Sequence, residues 1–309
     1  MKMPSDTQAP HPFPYQGSKR EIARHILPHF PHDVECLVEP FCGASAVSIA
    51  ALARGLARRV ILNDLNAPLI ALWREILDRP IELTQSYEKL WNEQHPRKKE
   101  YFLDIRDQFN ASHQPHHFLY LLARIVKGSV RYSSSGSFNQ SPDNRRSGMR
   151  PAAMRRQIIA VSALLSGKTT LSAVDFREVI AKAEKTDLIY LDPPYQGTSF
   201  TRDHRYLSGL PYDEFVVALQ EMNRKDISYI VSYDGQTGNK SHGKKLPRTL
   251  SLTHLYINAG RSSQSTLLGN TDETIESLYL SPALVDRLNN EKSRIPKKTR
   301  LAQQESVFA

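Results

Sequence analysis

Asp192-Pro193-Pro194-Tyr195 follows the apolar run Leu188-Ile189-Tyr190-Leu191. Four consecutive residues thus supply a carboxylate, a carbonyl on backbone stiffened by paired prolines, and an aromatic ring. Those groups suit a planar ring that carries an amine, whose protons need acceptors and whose face needs a stacking partner. The apolar run reads as a buried strand. The prolines end it, because proline cannot donate to a sheet ladder and restricts the residue before it. Asp192 is thereby delivered to the carboxyl edge of a sheet, where open α/β sheets bind ligands. A strand ending in a plain turn, with Asp192 as a cap and Tyr195 on the surface, accounts for the same residues, so the rest of the chain must decide.

Two more stretches repeat this pattern upstream. Cys36-Leu37-Val38-Glu39 reads as a strand, and Pro40-Phe41-Cys42-Gly43-Ala44-Ser45 as a small-residue turn into a helix containing Val47, Ile49 and Leu52. A strand, a tight turn and a helix N-terminus make a nucleotide-type ligand site. Neither a GxGxxG nor a phosphate-cradling GxxxxGK[ST] is present. The strand Val60-Ile61-Leu62 then ends in Asn63-Asp64, about twenty residues past the glycine turn, where acids bind ribose hydroxyls or cap helices. Thr169 to Val174 predicts a further strand, with Asp175-Phe176 at its tip. Ahead of all these, Tyr15-Gln16-Gly17-Ser18-Lys19 is a small-residue turn with a base at a helix start.

The elements that position these tips alternate strand and helix, which predicts an α/β fold with a mostly parallel sheet, helices on both faces and antiparallel strands at its C-terminal end. Between 66 and 126 strand character vanishes. Helical spacing runs over 69–77, 81–92, 98–109 and 116–126, so residues 67–151 read as an insertion into a unit formed by 1–66 and 152–282. A helix is expected at 152–166, and a strand from Ile227 to Val231 ending in Ser232-Tyr233-Asp234. Strands are also expected near 250–257 and 274–280. The first dozen residues are expected to lack order, and 283–309 to form a basic tail, partly helical or frayed.

With 41 Lys and Arg against 32 Asp and Glu, the net charge of +9 points to a polyanionic partner. The excess is local. Lys127, Arg131, Arg145, Arg146, Arg150, Arg155 and Arg156 face the single acid Asp143 in a stretch of serine, glycine and asparagine that can follow phosphates. Two cysteines are too few for a disulfide framework, and His113, His116 and His117 lack companion ligands at metal spacing. No metal is expected. Absence of an apolar run near the roughly 18 residues of a membrane span, and of a secretory signal, predicts a cytoplasmic protein without membrane contact.

The order of these motifs resembles the Dam-like family of DNA adenine-N6 methyltransferases, the D12 class in its alpha arrangement. The likeness spans about residues 13–281, and Arg131-Tyr132 with Gly136-Ser137-Phe138-Asn139 also resembles elements of that family. The resemblance implies a Rossmann-like methyltransferase sheet, S-adenosylmethionine as cofactor, and a flipped adenine of double-stranded DNA as substrate. It also raises a functional pairing with a restriction endonuclease, as in a restriction–modification system.

By the same resemblance, Tyr15, Gly17 and Lys19 contact the cofactor, with Lys19 near its carboxylate. Glu39, Phe41 and Gly43 form its methionine side, Asp64 binds the ribose, and Asp175 and Phe176 address the adenine. Asp192, Pro193, Pro194 and Tyr195 form the acceptor site, with Asp192 also bordering the cofactor. Lys127, Arg131, Tyr132, Asn139, Arg145, Arg146 and Arg150 are the expected DNA contacts. Cytosine N4 or RNA adenine as acceptor, or a binding module without catalysis, are the competing readings. Two positions depart from the family pattern: Ser45 and Ser18 stand where it has glycine, which puts the cofactor turn in question.

Overall fold

The computed structural model describes residues 9–95, 97–194, 210–237, 240–242, 244–261 and 273–294. Among these residues eight strands form one sheet: β1 (Cys36–Glu39), β2 (Arg59–Asn63), β3 (Thr169–Ser172), β4 (Leu188–Leu191), β5 (Tyr229–Thr237), β6 (Lys240–His242), β7 (Thr253–Arg261) and β8 (Glu273–Leu280). The order is β3-β2-β1-β4-β5-β8-β7, with β6 hairpinned onto β5. Strands β1 to β5 are mutually parallel. β8 and β7 close the C-terminal side antiparallel. This is the expected Rossmann-like methyltransferase architecture.

Alternation of side chains along the strands explains why helices cover both faces. Leu37, Leu188, Tyr190 and Ile230 point to one core. Cys36, Val38, Ile189 and Val231 point to the other. On the first face lie α1 (Ala23–Ile26), α2 (Ala46–Ala53), α3 (Ala67–Asp78), α4 (Pro80–Glu93), α5 (Lys98–Ser112), α6 (Pro115–Arg124) and α7 (Pro151–Leu165). On the second lie α8 (Phe176–Ile180) and α9 (Tyr212–Arg224), and α10 (Pro282–Arg294) follows β8. Trp73, Phe102, Phe109, Phe118 and Met154 are fully buried and belong to the same apolar cluster as the sheet's own Leu37 and Val60. The helices between β2 and β3 therefore share the sheet's core.

Three expectations are corrected. β5 does not stop at Val231: it runs to Thr237, because antiparallel pairing with β8 continues past an irregularity between Ser232 and Gly235. Asp234 consequently lies buried inside a strand, accepting a hydrogen bond from the Tyr279 hydroxyl. Residues 9–12 are packed, with Pro12 buried and the His11 N–H donating to Gln157 Oε1 at 2.7 Å. β3 ends at Ser172, two residues early, where Val174 N–H turns aside to Asn63. The remainder of the expected tail, 295–309, lies outside the described residues.

Candidate active site

The chain steps outward from β1 to β2 and β3, then returns to the other side of β1 as β4, so strand order reverses between β1 and β4. A cavity of about 410 Å³ opens at their carboxyl ends, lined by Tyr15, Lys19, Glu39, Phe41, Gly43, Asp64, Asp175, Phe176, Asp192, Pro193 and Pro194 among others. It is the crevice such sheets reserve for ligands. One site thus gathers nearly every strand-tip residue singled out in the sequence. Tyr195 lies outside the described residues, as does the side chain of Lys127.

The turn after β1 forms the cavity floor. Gly43 takes φ +46°, and a Cβ there would stand 3.2 Å from the Tyr15 ring. Its N–H donates to Asp64 Oδ2 at 3.1 Å, and its carbonyl accepts from Trp73 Nε1 at 2.9 Å. Asp64 Oδ1 also accepts from Asn66 N–H at 3.0 Å, so this acid organises the turn and the start of α3 while bordering the cavity. Burial pushes its carboxyl above the ordinary range, and the two backbone donors oppose that. Glu39 caps α2 from outside by accepting Ser48 N–H at 2.9 Å. Burial holds its carboxyl up at about 8.

The two serines in place of family glycines differ. Ser45 sits at φ +49°, ψ +38°, in the left-handed region, and is 1% exposed. That conformation costs a non-glycine residue about 1–2 kcal/mol. Ser18 is absent from the positive-φ positions, where its neighbour Gly17 takes φ +83°. Only Ser45 is strained.

Asp192 emerges one residue past β4. Lys19 Nζ, 6% exposed, lies 3.3 Å from Asp192 Oδ1 and 3.1 Å from Glu276 Oε2 on β8. Lys19, expected beside a cofactor carboxylate, is thus found between two carboxylates of the protein. Burial raises the Asp192 carboxyl to about 6; Lys19 opposes the rise and Glu276 adds to it. At pH 7–8 the group is ionised yet more basic than an exposed aspartate.

At the far end of the cavity Asp175 caps α8, accepting Arg177 N–H at 2.9 Å, and Arg177 also bridges to Glu214 of α9 at 2.8 Å. Phe41 and Phe176 face each other with ring centroids 5.2 Å apart. The acid is thereby held by its own helix and neighbouring cation, with the two rings beside it.

The basic segment departs from expectation in one residue. Tyr132 is 7% exposed, its hydroxyl donates to Asn66 Oδ1 at 3.0 Å, and it lines the cavity. It is a wall of this site and is not on the outer surface with Arg131, Asn139, Arg145, Arg146 and Arg150, all exposed. Arg145 and Arg146 both approach Asp143, at 3.3 and 3.7 Å. The turn carrying Asn139 is clamped by Asn110, which donates to Phe138 O at 3.0 Å and accepts Phe138 N–H at 2.7 Å. Gly128, at φ +63°, lies so close to the N-terminal turn that a Cβ would meet Pro14 O at 2.5 Å, and its own carbonyl accepts Gln16 N–H at 3.2 Å.

Two contributors escape a reading of the sequence. Asn63, 1% exposed, ties three strand ends together by donating to Pro40 O and Val174 O and accepting from Ser172 Oγ. Its place between Leu62 and Asp64 is a usable signal. Glu276 carries none, since a glutamate in Thr-Ile-Glu-Ser reads as solvent-facing until the register is known.

A family model described as D12 class N6 adenine-specific DNA methyltransferase matches residues 15–262. A DNA adenine methylase of Vibrio cholerae is 28% identical over 274 residues, covering 84% of this chain and 93% of its own. A retron DNA adenine methylase of Escherichia coli is 28% identical over 260 residues, covering 80% and 83%. A type II methyltransferase of Lactococcus lactis subsp. cremoris is 28% identical over 191 residues, 59% of this chain, and the match spans just 64% of that relative's length. With the family model spanning most of the chain and the strand-tip acids gathered at one switch point, this protein belongs to the D12 class of N6 adenine-specific DNA methyltransferases.

Proposed function

We propose that the cavity binds S-adenosylmethionine and that Asp192 and Pro193 present the N6 amine of an adenine, turned out of duplex DNA, to its methyl group. The observation that carries this reading is the opening of Asp192, Glu39, Asp64 and the Gly43 turn into one cavity of about 410 Å³, a volume suited to a ligand of that size. A side chain at Gly43 would press on the Tyr15 ring and sit at an unfavourable positive φ, so the floor is shaped for close approach. Tyr15, Glu39, Phe41, Gly43, Asp64, Asp175 and Phe176 would hold the cofactor, which supplies an electrophilic methyl carried on a sulfonium.

The amine is a weak nucleophile because its lone pair is delocalised into the ring. Asp192 accepting one N6 hydrogen and the Pro193 carbonyl the other draws the nitrogen toward tetrahedral geometry and localises that pair. As the N–C bond would form at the expense of the methyl's bond to sulfur, positive charge grows on the nitrogen until one N6 proton is released, and an ionised carboxylate in a buried site stabilises that charge more strongly than in water. Turning the adenine out costs a few kcal/mol. Tyr195 stacking on its ring would return on the order of 1–3 kcal/mol.

In this reading residues 67–151 form the target-recognition part, and Arg131, Asn139, Arg145, Arg146 and Arg150, with Lys127, its DNA contacts. Residues 1–66 and 152–282 form the catalytic part. Similarity to a type II methyltransferase supports pairing with a restriction endonuclease. Expression in a methylation-free host, followed by genome-wide mapping of modified bases, tests the reading. N6-methyladenine confined to one sequence motif is expected. A genome without it, or one carrying N4-methylcytosine, would overturn the proposal.

A further inference from the structure

Lys19, Asp192 and Glu276 come from three distant parts of the chain and meet at the Lys19 ammonium, where Lys19 and Asp192 line the cavity and Glu276 stands behind its lining residues. The lysine is almost fully buried, and the carboxylates are 20% and 18% exposed. One ammonium therefore serves two carboxylates, and the trio carries a net negative charge when all are ionised. Such an arrangement is unfavourable for folding, because like charges sharing one cation in a poorly hydrated site repel. A glutamine at position 276 would satisfy Lys19 with less repulsion.

The fold nevertheless seats Glu276 there with care. In the ladder Glu276 stands opposite Gly235, at the end of the irregularity in β5. A Cβ on Gly235 would lie 2.8 Å from the Ile275 carbonyl, so a side chain at that position would push β8 away. Ile257 on β7 pairs with Glu276 from the other side. Both neighbours thus fix the strand that brings this acid to Lys19.

We infer that Glu276 is a positioning residue for the acceptor site: by sharing the Lys19 ammonium, it keeps that cation from neutralising Asp192. The Asp192 carboxylate is then left with enough negative charge to accept a strong hydrogen bond from the amine. This rests on the acceptor role of Asp192 argued above. Among the described residues, the charged and titratable groups facing Asp192 are Lys19 from the N-terminal turn, Glu276 from β8, Tyr190 from β4 and Glu39 from β1. Among them Lys19 lowers and Glu276 raises its affinity for a proton.

The full-length chain is tested by ¹³C NMR titration of the Asp192 carboxyl, assigned by its disappearance in Asp192→Asn. In the wild type its midpoint is expected near 6. Glu276→Gln should lower that midpoint by about one pH unit, and Glu276→Asp by less. In parallel, single-turnover transfer of labelled methyl from S-adenosylmethionine to DNA from a methylation-free host is followed from pH 5 to 9. The acidic limb should move down with the NMR midpoint, and the plateau rate should fall about threefold as the acceptor weakens.

An unchanged or raised midpoint in Glu276→Gln, or a uniform loss of rate with the limb in place, would overturn the inference. Failure of Glu276→Gln to fold would also overturn it, since the neutral side chain must be tolerated if the acid is there for the reaction. The titration needs no turnover, so absence of methyl transfer in every form, wild type included, would sink the methyltransferase reading separately.

Discussion

The residues at 36–64 and 188–194 reach the cavity from parallel strands with continuous register, whereas 125–150 are held by isolated bridges at Ile125–Pro142 and Tyr132–Phe138, the Asn110 clamp and Asp143 N–H on Arg124 O. The first region gains accuracy from the ladder, where each hydrogen bond restrains the next. The second gains it from a few anchors that leave the side chains between them outside. Arg124 is one such anchor, fully buried and donating to Gln94 and Tyr120. Under the proposed function, a site that must hold an amine within a fraction of an ångström suits the ladder, and a surface whose arginines must adapt to DNA suits the anchored loop.

The contrast breaks most sharply at Asp192. Asp192→Ala should reduce methyl transfer by about a thousandfold or more, the scale for removing a preorganised polar group from a reacting centre, with cofactor and DNA binding retained by calorimetry. Asp192→Asn should be similarly inactive but should unmask a cost in the fold. The folded acid titrates near 6 against an ordinary 3.8, so its ionisation destabilises the protein. That penalty is absent below about pH 4, grows between about pH 4 and 6, and is constant above. Asp192→Asn should therefore gain in urea stability relative to wild type at pH 8 and show no such gain at pH 4; the reverse would remove the raised acid from the account.

A tenfold effect is expected in the anchored loop. Arg145→Ala with Arg146→Ala should weaken DNA binding about tenfold at moderate salt, and the log–log salt slope should flatten by about 0.9 for every phosphate these arginines neutralise. Turnover of bound DNA should hardly change. A large fall in single-turnover rate at saturating DNA would erase the division of labour between the two regions.

The smallest effects sharpen the comparison within the cavity floor. Ser45→Gly releases a left-handed residue and should stabilise the fold by about 1 kcal/mol, less what glycine's greater unfolded freedom takes back. Ser18→Gly has no such strain to release and should destabilise it by about 0.5 kcal/mol. Equal signs in denaturant titrations would show that the backbone at Ser45 is not what distinguishes them.

Sequence carries the ladder region well because its signals are local. An apolar run closed by Asp192-Pro193-Pro194 marks a strand tip, and helical periodicity delimits α4 to α7 within about three residues. Asp64, Asp175 and Asp192 can be placed at strand ends without knowing which strands pair. What stays hidden depends on pairing. Glu276 reaches Lys19 only through the antiparallel register of β5 and β8. Tyr132 reads as a DNA contact beside the arginine before it, whereas its ring packs edge-on to Phe138 and turns inward to Asn66. Ser45's backbone angle has no sequence signature beyond a missing glycine, and Asp234 reads as another tip because polarity in a strand resembles its end.

Gly128 carries a consequence for anyone exchanging specificity between members of this class. With no room for a side chain against Pro14 and with its carbonyl bonded to Gln16, it belongs physically to the N-terminal turn although it follows Lys127 within the basic segment of the chain. Where residues 67–151 are exchanged to test the proposed recognition role, the segment should therefore be joined after Gly128, with that glycine kept from the host. A junction upstream of it would import a foreign neighbour for Tyr15 and disturb the floor of the recipient's cavity.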